Sequence, residues 1–241
     1  MEERVSMEEV YQIAEIDHSD TVVGRIWMCT RTLLQMLQDR GYDVDFVTET
    51  PSFLDLERKL RQLDLADAEK SQRLLNQLRR TVRHPLTGET IEVFWLCGKV
   101  GKNSDVVKDI TNLLKTTERD GSTVVLVIQV EGCTISSPAK DELDKCDDSR
   151  IEFFDTQVLT RNIMHHRYQP KFELLSDIEA EETKKAYCAL SDQIPALLWE
   201  DPVRRYLGLK VDQLVRIKRL SDNGYDIFYR IVQPKLVGKK K

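Results

Sequence analysis

The chain has 241 residues, 41% of them hydrophobic and 32% charged, with a net charge of -5, a composition that suits two modest cores under a large wetted surface. Its longest purely apolar run, Val124 to Ile128, falls far short of the roughly 20 residues that a membrane-spanning helix requires, so no membrane partner is expected. From Thr156 onward there are 16 Lys and Arg against 11 Asp and Glu, whereas the residues before it carry 20 against 30; an acidic first half of this kind cannot hold DNA strongly by counterion release.

The opening MEERVSMEEV is acidic and lacks the basic-then-apolar order of a secretory signal. The first strong periodicity follows it. Val22, Ile26, Thr30, Leu33 and Leu37 share one helical stripe that Trp27 and Leu34 widen; Ser19 or Asp20 is expected to cap its start, and Gly41 to take the left-handed position at its end. YDVDFV then alternates as a short strand should. Pro51 to Leu63 reads as a second helix capped near Ser52, and about Asp67 to Val82 as a third, with Leu74, Leu75 and Leu78 on one face. HPLTGE is a turn, TIEVFWLC a strand, and GKVGKNS a loop before a helix capped by Ser104 that turns Val106, Val107, Ile110, Leu113 and Leu114 inward. STVVLVIQV has the continuous apolar middle of a strand covered on both faces. CTISSPAKDELDKC opens a helix with Ser137 at the cap and Pro138 in the first turn, and IEFFD closes the series as a strand. Alternating helices and strands over residues 1–155 predict an α/β domain around a largely buried sheet.

Residues 156–232 follow different rules. SDIEAEETKKAYCALS begins with a capping box, Ser176 with Glu179. In DPVRRYLG, Asp201 caps, Pro202 starts and Gly208 stops a helix of one or two turns. QLVRIKR and YDIFYRIV are strands joined by LSDNG, whose residues tolerate positive φ. The expectation is a small α+β domain, followed by a basic tail over 233–241.

Catalytic chemistry finds little support. His165 and His166 are adjacent, so on a strand they point to opposite faces, and His18 and His84 lie in unrelated segments; no metal and no cofactor is expected. Cys29, Cys97, Cys133, Cys146 and Cys188 form no C-x-x-C pair and are expected to be reduced, mostly buried thiols of a cytosolic or nuclear protein. The E-x-K triplets, Glu57 to Lys59 and Glu182 to Lys184, fall on predicted helices, where salt pairing accounts for them. CGKVGKNS lacks the spacing of a phosphate loop. No catalytic residue is assigned.

RIWMCTRTLLQMLQDRGY, NIMHHRYQPKFELLS and QIPALLWEDPVRRYLGLKVDQLVRIKR resemble, in this order, the signature stretches of the fifth subunit of nuclear DNA-directed RNA polymerases, whose C-terminal half corresponds to a small subunit of the archaeal polymerase. The resemblance is densest in Asp201-Pro202-Val203, Tyr206, Gly208-Leu209-Lys210 and Tyr229-Arg230. It implies an N-terminal jaw domain with a nuclease-like fold but no active site, set beside downstream duplex DNA, and a C-terminal assembly domain that docks on the largest subunit. It implies a nuclear protein, nucleolar if dedicated to polymerase I, with catalysis left to the large subunits. The chain departs from the family's usual residues at Phe172, where a second histidine is usual, at Ala196-Leu197, where Arg-Ile is usual, and around Arg219-Leu220-Ser221-Asp222, one residue shorter than the usual turn. Beside the resemblance, these departures imply a divergent lineage or a variant copy dedicated to one polymerase.

Two surfaces are therefore candidate sites. Arg204, Arg205 and Tyr206, on a very short helix, must fan out around it, and Arg and Tyr are favoured at interface hot spots; with Lys210, Arg216 and Lys218 as a basic rim, and His166 holding the loop before Pro170, they form the expected partner-docking surface. Ser136, Ser137 and the backbone N–H groups after them, with Lys140 one turn in, are expected to face DNA and touch a phosphate without reading a base. The competing class is a free-standing transcription-related interaction module or adaptor.

Overall fold

A computed structural model describes residues 20–117, 123–145, 150–221 and 224–234. The chain divides into two compact units between Arg161 and Asn162. The expected boundary at 155/156 is six residues early, because Thr156 and Leu159 of the short helix that follows are buried in the first unit. Ser19, His18, Cys146, the Asp222-Asn223 part of the predicted turn and residues 235–241 of the basic tail lie outside the described residues.

In the first unit, helix α1 (Val22–Asp39) is capped by Thr21, whose hydroxyl accepts from the Gly24 N–H at 3.0 Å, in place of the expected Ser19 or Asp20. It buries Ile26, Cys29, Leu33, Leu34, Met36 and Leu37. Gly41 then turns the chain at φ +85°, where a Cβ would sit 2.8 Å from His84 Nε2. The expected strand at 42–47 is absent: Asp45 accepts from the Val47 N–H and caps a single turn, α2 (Phe46–Glu49), so only Phe46 of that turn is buried. Helix α3 (Phe53–Lys59) is capped by Ser52, and α4 (Ala68–Leu75) by Asp67. The third helix ends earlier than its spacing predicts, because a 3₁₀ turn over Asn76–Leu78 leads into strand β1 (Arg80–Arg83), where β-branched Val82 pairs with Ile91.

The remaining elements of this unit are β2 (Thr90–Leu96), β3 (Lys99–Val100), α5 (Asp105–Thr116), β4 (Thr123–Gln129), β5 (Thr134–Ile135), α6 (Ser137–Asp144), β6 (Ile151–Asp155) and α7 (Thr156–Leu159). The main sheet has the order β1-β2-β4-β6, antiparallel only at β1, and β3 pairs with β5 in a second, two-stranded ladder. Phe94, Leu96, Val125, Val127 and Ile151 face α5 and α6 in one core. Alternation turns Val93, Trp95, Leu126 and Phe154 to the other face, also buried. Glu152 lies on that second face and accepts from Arg40 at 2.7 Å, which fixes the end of α1 against the edge strand. This is an α/β unit.

The second unit is α+β. Its elements are β7 (Lys171–Leu174), α8 (Asp177–Ala186), β8 (Ala196–Leu197), α9 (Pro202–Leu207), β9 (Leu214–Ser221) and β10 (Gly224–Val232). The sheet order is β7-β9-β10-β8, with β9 antiparallel to both neighbours and β8 parallel to β10. The capping box forms as its sequence predicts: Ser176 Oγ accepts from the Glu179 N–H, and the Glu179 carboxylate accepts from the Ser176 N–H. One sheet face packs Val215, Ile217 and Val232 on Leu197 and Leu209; the other packs Leu214 and Ile231 on Leu175 and the α8 side.

Candidate protein-docking surface

Helix α9 owes its existence to its ends. Asp201 Oδ1 accepts from the N–H groups of Val203 (2.8 Å) and Arg204 (3.2 Å), Pro202 supplies a fixed φ in the first turn, and Gly208 closes the helix at φ +62°. Within it, Val203 and Tyr206 lie three apart and both point inward. Tyr206 is 2% exposed, and its hydroxyl accepts from Asn162 Nδ2 at 2.8 Å. Arg204 is 6% exposed, its guanidinium 3.4 Å above the centroid of the Trp199 ring, a cation-π stack that shields both groups.

The geometry places the residues of the expected docking surface unevenly. Arg204 and Tyr206 are buried within the second unit, Arg205 is half-buried and Lys210 is exposed. Arg216 and Lys218 do share a face, but both donate to one carboxylate, Glu173, at 2.9 and 2.8 Å, and Lys171 stands 3.5 Å from it. The Lys218 ammonium, then the Arg216 guanidinium, pull the Glu173 carboxyl down from an ordinary 4.5 to about 2. The same bond raises the Arg216 pKa. The expected basic rim at Arg216 and Lys218 is a cluster knitted around an anion. His166 is exposed; its Nδ1 accepts from the Tyr168 N–H at 3.3 Å, which holds the loop before Pro170.

A groove of about 450 Å³ runs across the Val215 face of the sheet, lined by Pro170, Phe172, Pro195, Leu198, Ile217 and Phe228, with Arg219 and Arg230 alongside. Leu198 is 62% and Phe228 48% exposed. On the opposite face of the same hairpin Leu220, Tyr225 and Ile227 are exposed too, so β10 from Gly224 to Phe228 exposes apolar side chains on both faces, with Asp226 beside Phe228 on the groove side. The signal was present in YDIFY, which does not alternate cleanly: a strand apolar on both faces is one made to be covered. Phe172, Ala196, Leu197 and Arg219 all line this groove.

The expected DNA-facing segment is narrower than its sequence suggests. The helix cap is Ser136, one residue before the expected Ser137, because the β3–β5 ladder holds the Ser136 N–H on the Val100 carbonyl at 3.0 Å. Ala139 and Lys140 donate their N–H groups to the Ser136 carbonyl, and Pro138 has none, so few backbone donors remain for an anion. Ser136, Ser137 and Lys140 are exposed.

Other polar clusters have structural partners. His84 Nδ1 accepts from the N–H groups of Leu86 and Thr87, and its ring meets Tyr42 edge-on. Cys29, Cys97, Cys133 and Cys188 are free thiols; the first two are buried, Cys133 is half-buried with its pKa pushed up to about 12 by burial, and Cys188 is exposed. Among the described residues no three His, Cys, Asp or Glu side chains gather to hold a metal, and no helix is long and apolar enough to cross a membrane.

Residues 161–232 match the family model for the RNA polymerase Rpb5 C-terminal domain. Over most of its length the chain is similar to three curated proteins. It is 28% identical to DNA-directed RNA polymerase subunit 5-like protein 1 of Arabidopsis thaliana over 219 residues, 87% of this chain and 95% of that protein. It is 25% identical to DNA-directed RNA polymerases IV and V subunit 5B of the same plant over 206 residues (84% and 86%), and 28% identical to DNA-directed RNA polymerases I, II, and III subunit rpabc1 of Dictyostelium discoideum over 214 residues (87% and 98%).

Proposed function

We propose, from the premise that this chain is a divergent relative of subunit 5 of the DNA-directed RNA polymerases with an Rpb5 C-terminal domain over residues 161–232, that it serves as a non-catalytic subunit of a nuclear DNA-directed RNA polymerase. In this reading the second unit is the assembly domain and docks on the largest subunit, other subunits lying nearby. The first unit is the jaw, a nuclease-like α/β body without an active site, and it lines the channel of the downstream duplex. Ser136, Ser137 and Lys140 face that duplex and make weak backbone contacts without sequence preference. The protein works in the nucleus, and in the nucleolus if it serves polymerase I.

The observation that carries the reading is the doubly exposed apolar strand β10 beside the groove, inside the segment that the family model covers. A free monomer keeps such a surface wet at a solubility cost; a permanent subunit covers it. Arg204 and Tyr206 contribute from within by holding α9 and Trp199 in place, while Arg205 and Lys210 remain at the surface. Affinity purification of the tagged full chain tests the reading. Recovery in equal amounts with the two largest polymerase subunits is the expected result; a chain that elutes alone as a soluble monomer would instead make it a free-standing adaptor.

A further inference from the structure

We infer that the outer edge of β10 receives an extended, acidic and apolar segment of a polymerase partner chain, which adds to the sheet as a further strand and drops alternate side chains into the groove. The inference rests on the subunit reading above. Ile231, opposite Leu214 of β9, turns its N–H away from β9 and donates to the Pro195 carbonyl at 3.0 Å. By alternation, the N–H and C=O groups of Tyr229, Ile227 and Tyr225 point to that same outer edge. Strand β8 covers the edge only at Ile231 and Val232. It cannot extend further, because the next residue back, Pro195, has no N–H to give to the Tyr229 carbonyl. Among the described residues no strand pairs with β10 beyond that point.

An open edge of this kind is normally blunted by charge, proline or a covering loop. Here the residues on it are Tyr225, Ile227 and Tyr229, and the groove adjoins it. Tyr229 lines the groove although its ring lies on the opposite face against Tyr187, so what it offers there is backbone. Strand addition of this type takes its affinity from main-chain bonds and its specificity from pockets for alternate side chains. Phe172, Ile217 and Phe228 stand in register across three strands and make an apolar floor for such side chains. The charge of the occupant follows from the two guanidinium groups: Arg219 makes no ion pair among the described residues even with Asp226 opposite it in register, Arg230 bonds only the Ala196 carbonyl, and the one carboxylate of the lining, Asp201, is engaged in capping α9. A segment bearing a carboxylate beside apolar residues complements them.

Amide hydrogen exchange of the full chain, alone and within the purified polymerase, read at single residues, tests the inference. The expected result is that the amides of Tyr225, Ile227 and Tyr229 slow about tenfold or more in the polymerase. Ile227→Pro, which deletes an outward N–H and leaves the β9 ladder whole, should then weaken incorporation while the free chain keeps its melting temperature within a few degrees; Arg219→Glu should weaken it too. If the chain co-purifies with the large subunits while those three amides exchange as in the free chain, the inference fails and the subunit reading stands. Absence of co-purification would remove the subunit reading itself. Slow exchange at the three amides in the free chain, whether independent of concentration or growing with it, would assign the edge to the chain's own tail or to a second copy, and would overturn the inference.

Discussion

Replacing Leu198 and Phe228 by serine separates docking from folding. Each side chain is about half to two-thirds exposed in the free chain, so its truncation removes little packing from the unit. Full burial of a Leu or Phe side chain is worth about 1.5–3 kcal/mol. The exposed fractions leave about 1–2 kcal/mol for Leu198 and about 1 kcal/mol for Phe228 to be gained only on docking. Together they amount to about 2–3 kcal/mol, a loss of roughly 30- to 150-fold in affinity. The assay is competition between tagged wild type and the double variant for incorporation into polymerase, run beside thermal melts of the two free proteins. The expected outcome is a variant that melts within a few degrees of wild type and is displaced from the assembly. If the variant competes equally with wild type, the groove is not the docking surface and the reasoning from exposed apolar area fails.

Three further outcomes follow from the same geometry. Asp201→Ala leaves two N–H groups of α9 without their acceptor and should lower the stability of the second unit by about 1 kcal/mol in urea unfolding, with Asp201→Ser recovering most of it. Gly41→Ala meets both a φ of +85° and a contact of 2.8 Å with His84; it should cost more than about 1 kcal/mol, of which His84→Ala relieves only the contact. Glu173 is held down to about 2 by Lys218 and Arg216, so its contribution to stability is complete above its unfolded pKa of about 4.3 and is lost as pH falls from there toward 2. A carboxyl titration followed by NMR should place its midpoint well below the other glutamates, and Glu173→Gln should flatten that part of the stability profile.

Much of the fold was legible because it is written in local signals. The caps at Ser52, Ser104, Ser176 and Asp201 and the glycine turns at 41 and 208 stand where the residues indicated. Strands β1, β7 and β8 were not legible: at two to four residues they carry no periodicity, and the partners of β7 and β8 lie far along the chain. The candidate site divides the same way. Val215 and Ile217 are buried and alternate with Arg216 and Lys218, a pattern visible in QLVRIKR. The fate of Arg204 depended on Trp199 waiting beneath it, and that of Arg216 and Lys218 on Glu173 from another strand. The groove assembles Pro170, Pro195 and Phe228 from separate stretches, and only the apolar residues on both faces of YDIFY gave notice of it.

Lysine cross-linking of a polymerase purified through this chain tests the central claim most directly. The account predicts that Lys171, Lys210 and Lys218, all on the second unit, join to residues of the largest subunit, and that these links vanish in the Leu198→Ser and Phe228→Ser double variant. Links from these lysines to no polymerase subunit, in a preparation where the large subunits are present, would contradict it.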